Sequence, residues 1–245
     1  MMEMKEYMSQ TGISIGDQHT FWDWGLLLIS ISISSPEAKT KVIDVLGGDG
    51  HIDMTEAFGP VRYKNRTLVF SFILLDRRPE IWHGISSRMK NYCHGKKMKV
   101  TLDSDPGYYW EGRLSVESVK EDQVYSSIEI TLDAFPYKYE QADSQEPWKW
   151  DSFSFVSGVI RYIGEVEITA EENKINIPKG NMRSVPKFFV SQNSTDFSVD
   201  YQGHRFRLKA GWNRFPQISV GGEEDVVLYF SGTGKVKVEY RGGSL

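Results

Sequence analysis

One cysteine, Cys93, in 245 residues rules out an intramolecular disulfide, so nothing calls for an oxidising compartment during folding. Long apolar runs are also lacking. The longest, Gly25 to Ile33, falls far short of the roughly 20 residues a spanning helix needs, and its Ile29, Ile31 and Ile33 alternate with serines as a strand does. No basic excess exists either: 29 Lys and Arg against 33 Asp and Glu leave a net charge of -4, whereas a nucleic-acid footprint needs clustered cations. The opening MMEMKEYMSQ carries acidic residues and no apolar segment, unlike a signal peptide, which predicts a soluble product made in the cytoplasm. The Asn-x-Ser/Thr triplets at Asn65 and Asn193 then read as coincidence.

The signatures of catalysis are missing too. No Gly-x-Ser-x-Gly turn is present. Cys93 and His94 are neighbours, and adjacent helical residues diverge by about 100 degrees, so they cannot act on each other. His83 and His94 stand eleven residues apart, the wrong spacing for two metal ligands on one helix face. Asp53 with Glu56, and the run Glu223, Glu224, Asp225, read as solvated loops. Gly47, Gly48, Asp49, Gly50 lacks the Lys-Ser/Thr pair and following helix of a phosphate loop, so it predicts a turn. No catalytic, metal or cofactor site is therefore expected, and the chain is not read as an enzyme.

What is present is alternation. Leu114 and Val116, then Ile128, Ile130 and Leu132, alternate with polar residues on either side of a Lys120 to Gln123 turn, the pattern of an antiparallel hairpin. Val100 and Leu102 are its expected partners, with Tyr108, Tyr109 and Trp110 on its first arm. Trp22 to Ile33, Val42 to Leu46 and Thr67 to Leu75 read as strands, the last with both faces covered. Between them His51 to Arg66 reads as a long irregular connection of the kind used for binding another chain. Pro79 followed by Ile81, Trp82, Ile85, Met89 and Tyr92 predicts a helix, which Gly95 ends. The polar run 141–150 reads as a linker between a first domain, 1–140, and a second, 151–245. In the second, eight short strands between Glu165 and Tyr240, about ten residues apart, predict a β-sandwich. Trp148, Trp150 and Trp212 offer faces on which sugar rings stack. In the competing reading, Trp212 belongs to a core and the other two cover the joint between domains.

In their order, Trp24 to Ile33, GGDGHIDMTEAFGPVRYKNRTLVFSF, the helix after Pro79, DSDPGYYWEGRLSV and ITLDAFPYKYE resemble the distal tail proteins of long-tailed phages that infect Gram-positive bacteria. GNMRSVPKFFV, LKAGWNRFPQISV and the closing VKVEYRGGSL match the pattern of that family's C-terminal domain, so the resemblance covers nearly the whole chain.

The resemblance implies a mostly β fold with one helix. Its first domain would be barrel-like or sandwich-like and ring-forming, and its second a β-sandwich of the galectin or carbohydrate-module kind. It implies a hexameric hub at the virion tail tip that joins the tail tube protein to tip or baseplate proteins. DNA would pass through the ring, which does not insert in a membrane. The mild acidity suits a lumen in which DNA must slide. The segment Gly47 to Arg66 is the candidate ring contact, with Phe58, Pro60 and Tyr63 as its residues. The alternative function is recognition of a host cell-wall polysaccharide by the C-terminal sandwich through Trp148, Trp150 and Trp212.

Overall fold

A computed structural model of the chain describes residues 12–76, 78–121, 126–146 and 160–245. Trp148, Trp150 and the turn of the central hairpin at 122–125 lie outside them. The first region contains β1 (Ile13–Ile15), β2 (Gln18–His19), β3 (Leu26–Ile33), β4 (Val42–Asp44), β5 (His51–Asp53), β6 (Arg66–Leu74), helix α1 (Pro79–Cys93), β7 (Lys97–Leu102), β8 (Tyr108–Glu121) and β9 (Ser126–Ala134). The second contains β10 (Lys138–Glu140), β11 (Glu165–Ile168), β12 (Lys174–Ile177), β13 (Gly180–Ser184), β14 (Lys187–Asn193), β15 (Ser198–Tyr201), β16 (His204–Arg207), β17 (Gly211–Arg214), β18 (Val220–Gly222), β19 (Val226–Ser231), β20 (Gly234–Glu239) and β21 (Gly243–Ser244). The fold is mostly β, as the alternation predicts.

Two units divide the chain: one runs to Asp105 and from Tyr109 to Lys138, the other takes Pro106–Tyr108 and Tyr139–Ser244. In the first, an antiparallel sheet runs in the order β2-β1-β7-β8-β9-β6-β3. The expected hairpin is its centre, with Leu114 opposite Leu132 and Val116 opposite Ile130. Gly112 lies so close to the backbone of Asp133 and Ala134 that a Cβ there would overlap both, which lets the long β8 cross the end of β9.

In β6 from Leu68 onward and in β9 every second residue is apolar or small, and α1 covers the face they share. Trp82, Ile85, Met89 and Cys93 from the helix are buried in one core with Leu68, Phe70, Phe72 and Leu74 of β6 and Ile128, Ile130 and Leu132 of β9. Pro79 opens the helix, and the Trp82 indole N–H donates to the carbonyl of Asp76 at 2.5 Å, fixing the entry. At the other end Gly95 takes φ +75° and its N–H reaches Leu114 O at 2.7 Å, so the chain leaves the helix directly onto β8.

Two readings of the first region change. The strand read from Trp22 begins at Leu26, because Thr20 to Gly25 form a turn in which Leu26 N bonds back to Thr20 O and Gly25 takes φ +65°. And β6 is covered on one face alone: Thr67 is exposed and Val69, Ser71 and Ile73 are half-buried, so its second face stays open.

In the second unit two four-stranded sheets, β11-β20-β14-β17 and β12-β19-β15-β16, form the expected sandwich. Phe188, Val190, Val236 and Val238 of one meet Ile175, Ile177, Val199, Leu228 and Phe230 of the other in a single core. The glycine-rich pair β13 and β18 lacks the alternation that makes a strand legible.

The run 141–146 does not behave as a spacer. Ser144 donates from its hydroxyl to Val238 O at 2.6 Å and accepts from Tyr240 N at 2.9 Å, while Arg241 binds the carbonyl of Glu140 and the carboxylate of Asp143. Its polar residues satisfy buried groups of the C-terminal strand and belong to the second unit.

Met89 is fully buried between α1 and the sheet, so Met89→Ala should cost the first unit about 2–5 kcal/mol. The exposed Lys90→Ala on the same turn should cost no more than about 0.5 kcal/mol. Urea unfolding followed by tryptophan fluorescence compares the two.

Candidate functional site

The connection 34–65 between β3 and β6 is an arm. The structure corrects its irregular appearance, since His51–Asp53 is a strand paired with Val42–Asp44 in the register Val42 opposite Asp53 and Asp44 opposite His51. Below this hairpin a stem is held by Lys39 N to Arg62 O at 2.7 Å, Lys64 N to Glu37 O at 2.8 Å and an isolated bridge between Ala38 and Tyr63. The Gly47 to Gly50 cluster is the turn at the tip, with φ +77° at Gly47 and +79° at Gly50. Asp53 caps the return with an Asx turn: its carboxylate accepts from Thr55 N at 2.8 Å, and Thr55's bonds hold it below the usual carboxylate range.

Arg66 roots the arm. It is only 8% exposed. Its Nε donates to Ser34 O at 2.6 Å, where the chain enters the arm, and its Nη1 donates to Pro136 O at 3.4 Å, just beyond β9. The guanidinium lies 4.9 Å from the centre of the Trp110 ring, a stacking that Arg makes and Lys does not. Burial pushes its pKa below the ordinary value. Ser34 and Thr67 close the same corner through a pair of backbone and hydroxyl bonds.

The three candidate ring residues all lie on this arm, in different settings. Phe58 is 87% exposed, with Lys41 Nζ 5.6 Å from its ring, and Pro60 is exposed. Tyr63 instead packs edge-on against Tyr137 at 6.1 Å and belongs to the stem. Sequence reading missed the rest of the surface. Val42, Ile43, Val45 and Ile52 are exposed and Leu46, at the tip, is fully so. Alternation in the hairpin predicts one covered face, but among the described residues nothing covers either. Ile29, Ile31 and Ile33 on edge strand β3 are exposed as well.

The open face of the sheet has a different chemistry. Thr67 and Ser71 of β6, Glu129, Thr131 and Asp133 of β9, and Arg113, Ser115 and Glu117 of β8 lie on it. Lys97 and Lys99 of β7 stand on the same face opposite Arg113 and Glu111, and Val69 and Ile73 lie beside Ser71, so the surface mixes hydroxyls, acids, bases and a few apolar residues. A shallow depression of about 310 Å³ there is lined by residues including His94, Arg113, Glu117 and Asp133.

In the sandwich, Trp212 is 61% exposed on β17, which corrects its reading as a core residue. Its ring lies 5.1 Å from that of Phe189, directly across the β14–β17 pair. Trp148 and Trp150, the other candidate sugar contacts, lie outside the described residues.

No group of three or more His, Cys, Asp or Glu among the described residues could hold a metal ion. His94 is turned away from Cys93: its Nδ1 accepts from Val116 N at 3.0 Å. The buried Cys93 thiol donates to Met89 O, and burial pushes its pKa up to about 11. No helix among the described residues is long and apolar enough to cross a membrane.

A helix-backed antiparallel sheet, followed in the chain by a two-sheet sandwich, is similar in fold to a solved phage hub protein. The particular structure it matches is that of SPP1 Dit (gp 19.1), described as a paradigm of hub adsorption apparatus in Gram-positive infecting phages. The two share 11% sequence identity and a TM-score of 0.60 over 94% of this chain and 98% of that one. The phage p2 baseplate in its activated conformation with Sr is a more distant match, with 8% identity and a TM-score of 0.40 over 96% of this chain and 99% of that one. No family model and no curated protein matches the sequence.

Two outcomes follow from this geometry. Replacing Arg66 by Lys keeps the charge and loses the stack and the fork of donors. Hydrogen exchange at the Lys39 and Lys64 amides of the stem should then quicken by about tenfold or more, with β9 amides unchanged. For Cys93 the folded state keeps its proton where the unfolded chain has lost it. The associated stability is full below the ordinary thiol pKa and is lost as the pH rises through about 11. Urea midpoints between pH 9 and pH 11 should fall less steeply in Cys93→Ala than in the parent.

Proposed function

We propose that this chain is a structural distal tail protein of a long-tailed phage or prophage. Six copies close a hub ring that joins the tail tube protein to the tip or baseplate proteins, and DNA passes through the ring during ejection. The protein is made in the bacterial host cytoplasm, works at the virion tail tip and catalyses nothing.

The arm carries this reading. A single copy has no use for a stem-mounted hairpin whose Val42, Ile43, Leu46, Ile52 and Phe58 all face solvent, since exposed apolar surface on that scale marks an interaction site. The arm of each copy reaching the β3 edge of the next, where Ile29, Ile31 and Ile33 are uncovered, makes a heterologous contact of the kind that closes rings. The open sheet face also fits a lumen, because its bases are interspersed with acids, as in the Lys97–Glu111 pair at 2.9 Å, and form no basic stripe for sliding DNA to hold. The likeness to the SPP1 hub protein supports the same role.

A second reading is that the sandwich recognises a host cell-wall polysaccharide. One observation favours it: the Phe189–Trp212 pair is on the surface and holds an indole face in solvent.

Leu46→Asp with Phe58→Asp places charge on two highly exposed residues, of which Phe58 has the Lys41 ammonium near its ring. The double variant should keep the parent's circular dichroism and melting temperature, and light scattering should show the parent as a ring and the variant as a monomer. An assembly unchanged in mass would remove the arm from the interface.

A further inference from the structure

The surroundings of Trp212 are chemically one-sided. The solvent face of β11-β20-β14-β17 presents a row of residues in register, Glu165, Lys237, Phe189 and Trp212. Beside it runs a second row, Glu239, Lys187 and Arg214. The acids stand on β11 and β20 and the aromatic rings on β14 and β17, and the Glu165 carboxylate reaches β14, where it accepts from the Ser191 hydroxyl at 2.9 Å. Glu239 is engaged by Lys187 at 2.7 Å, whose Nζ also lies 5.8 Å from the Trp212 ring centre. Arg214 and Lys237 form no ion pair among the described residues. Lys237 faces Glu165 across the strands, while Arg214, next to Trp212 on β17, has a second cation, Lys187, as its cross-strand neighbour and no acid opposite it.

The platform is also held in place. Asn213 Nδ2 donates to the carbonyls of Lys209 at 2.6 Å and Gly211 at 3.0 Å, and its Oδ1 accepts from Lys209 N at 2.9 Å. Gly211, at φ +87°, makes the bend that these bonds close. An indole fixed by its neighbours loses little freedom when a ligand stacks on it.

We propose that Phe189 and Trp212 form the stacking platform for a negatively charged saccharide unit, with Arg214 and Lys237 binding its carboxylate or phosphate. This inference rests on the polysaccharide reading above and narrows it. A neutral sugar presents hydroxyls that both donate and accept, and is best met by carboxylates and amides. Lys and Arg only donate, so the polar ring around this platform is complementary to a group that only accepts.

The test uses the full chain and an immobilised polysaccharide of alternating hexosamine and uronate, beside the same polymer with its carboxylates reduced to alcohols. A phosphomannan, before and after removal of its phosphates, forms the second pair. The parent should bind an anionic form about tenfold or more tighter than its neutral form, with the preference shrinking as salt is added. The stronger anionic polymer names the anion. Arg214→Glu with Lys237→Glu should erase the preference, while Trp212→Ala should weaken binding of either form about tenfold or more. Circular dichroism shows that the variants are folded. Equal binding of charged and neutral forms overturns the anionic assignment and leaves the polysaccharide reading standing. No binding of any form overturns both. Binding unmoved by Trp212→Ala removes the site from this face, and tighter binding of oligothymidylate than of any polysaccharide makes it a single-strand nucleic-acid surface instead.

Discussion

The arm exists as a fixed structure because of one buried guanidinium. A 32-residue excursion closed only by its own few hydrogen bonds has much conformational freedom, since its hairpin and stem bury little. Arg66 limits that freedom at the point where the two ends meet. It ties the carbonyl of Ser34 to the first residue of β6, reaches the carbonyl of Pro136 and lies over Trp110. These partners are two carbonyls and an indole, none of them a carboxylate. Desolvation therefore works against the charge, and carbonyl bonds together with the indole face offset it. A neutral side chain could fill the space, but it would leave the carbonyl of Ser34 without its donor at a buried corner.

The first unit separates its surfaces by chemistry. Period two puts Leu68, Phe70, Phe72 and Leu74 under α1 and turns Thr67 and Ser71 to the open face. The same alternation in β8 and β9 adds Ser115, Thr131, Glu129 and Asp133. A mixed polar face, an apolar edge and an apolar arm are three surfaces that α1, packed on the core-facing side, leaves uncovered.

How much of this can be read from the residues differs from element to element. The central hairpin and α1 were legible because burial on one side imposes a period, two in the strand and about 3.6 in the helix. The return limb of the arm was not, because His51–Asp53 buries neither face and leaves no period to detect. Trp212 shows another limit. Alternation says that it and Asn213 point to opposite sides, while the side facing the core is decided by Phe188 and Val190 of the neighbouring strand. The run 141–146 misled for a third reason: polar composition reads as solvation, and here it reflects partners distant in sequence, Val238, Tyr240 and Arg241. Phe58 and Pro60 were found through the length of their loop. Leu46 and Ile52 needed the structure, because an exposed apolar residue in a hairpin looks like a buried one in sequence.

The second unit solves the arm's problem of fixing chain ends in the same way, with a stronger pair. Arg161 donates to Glu140 through Nε at 2.7 Å and Nη2 at 3.1 Å, with its side chain almost wholly enclosed. Burial pushes the Arg161 pKa down, and the hydrogen bonds and charge of Glu140 more than reverse it. An ion pair of this kind adds little net stability over an apolar replacement, yet losing either partner leaves a buried charge unmatched. Glu140 and Arg161 come from segments distant in sequence, and their pairing ties β10 to the stretch that leads into β11. The space around the pair is tight: a Cβ at Gly180 would press on the guanidinium, and one at Gly242 would overlap both partners. In both units apolar cores supply most of the stability, while a buried arginine ties together segments that are distant in sequence.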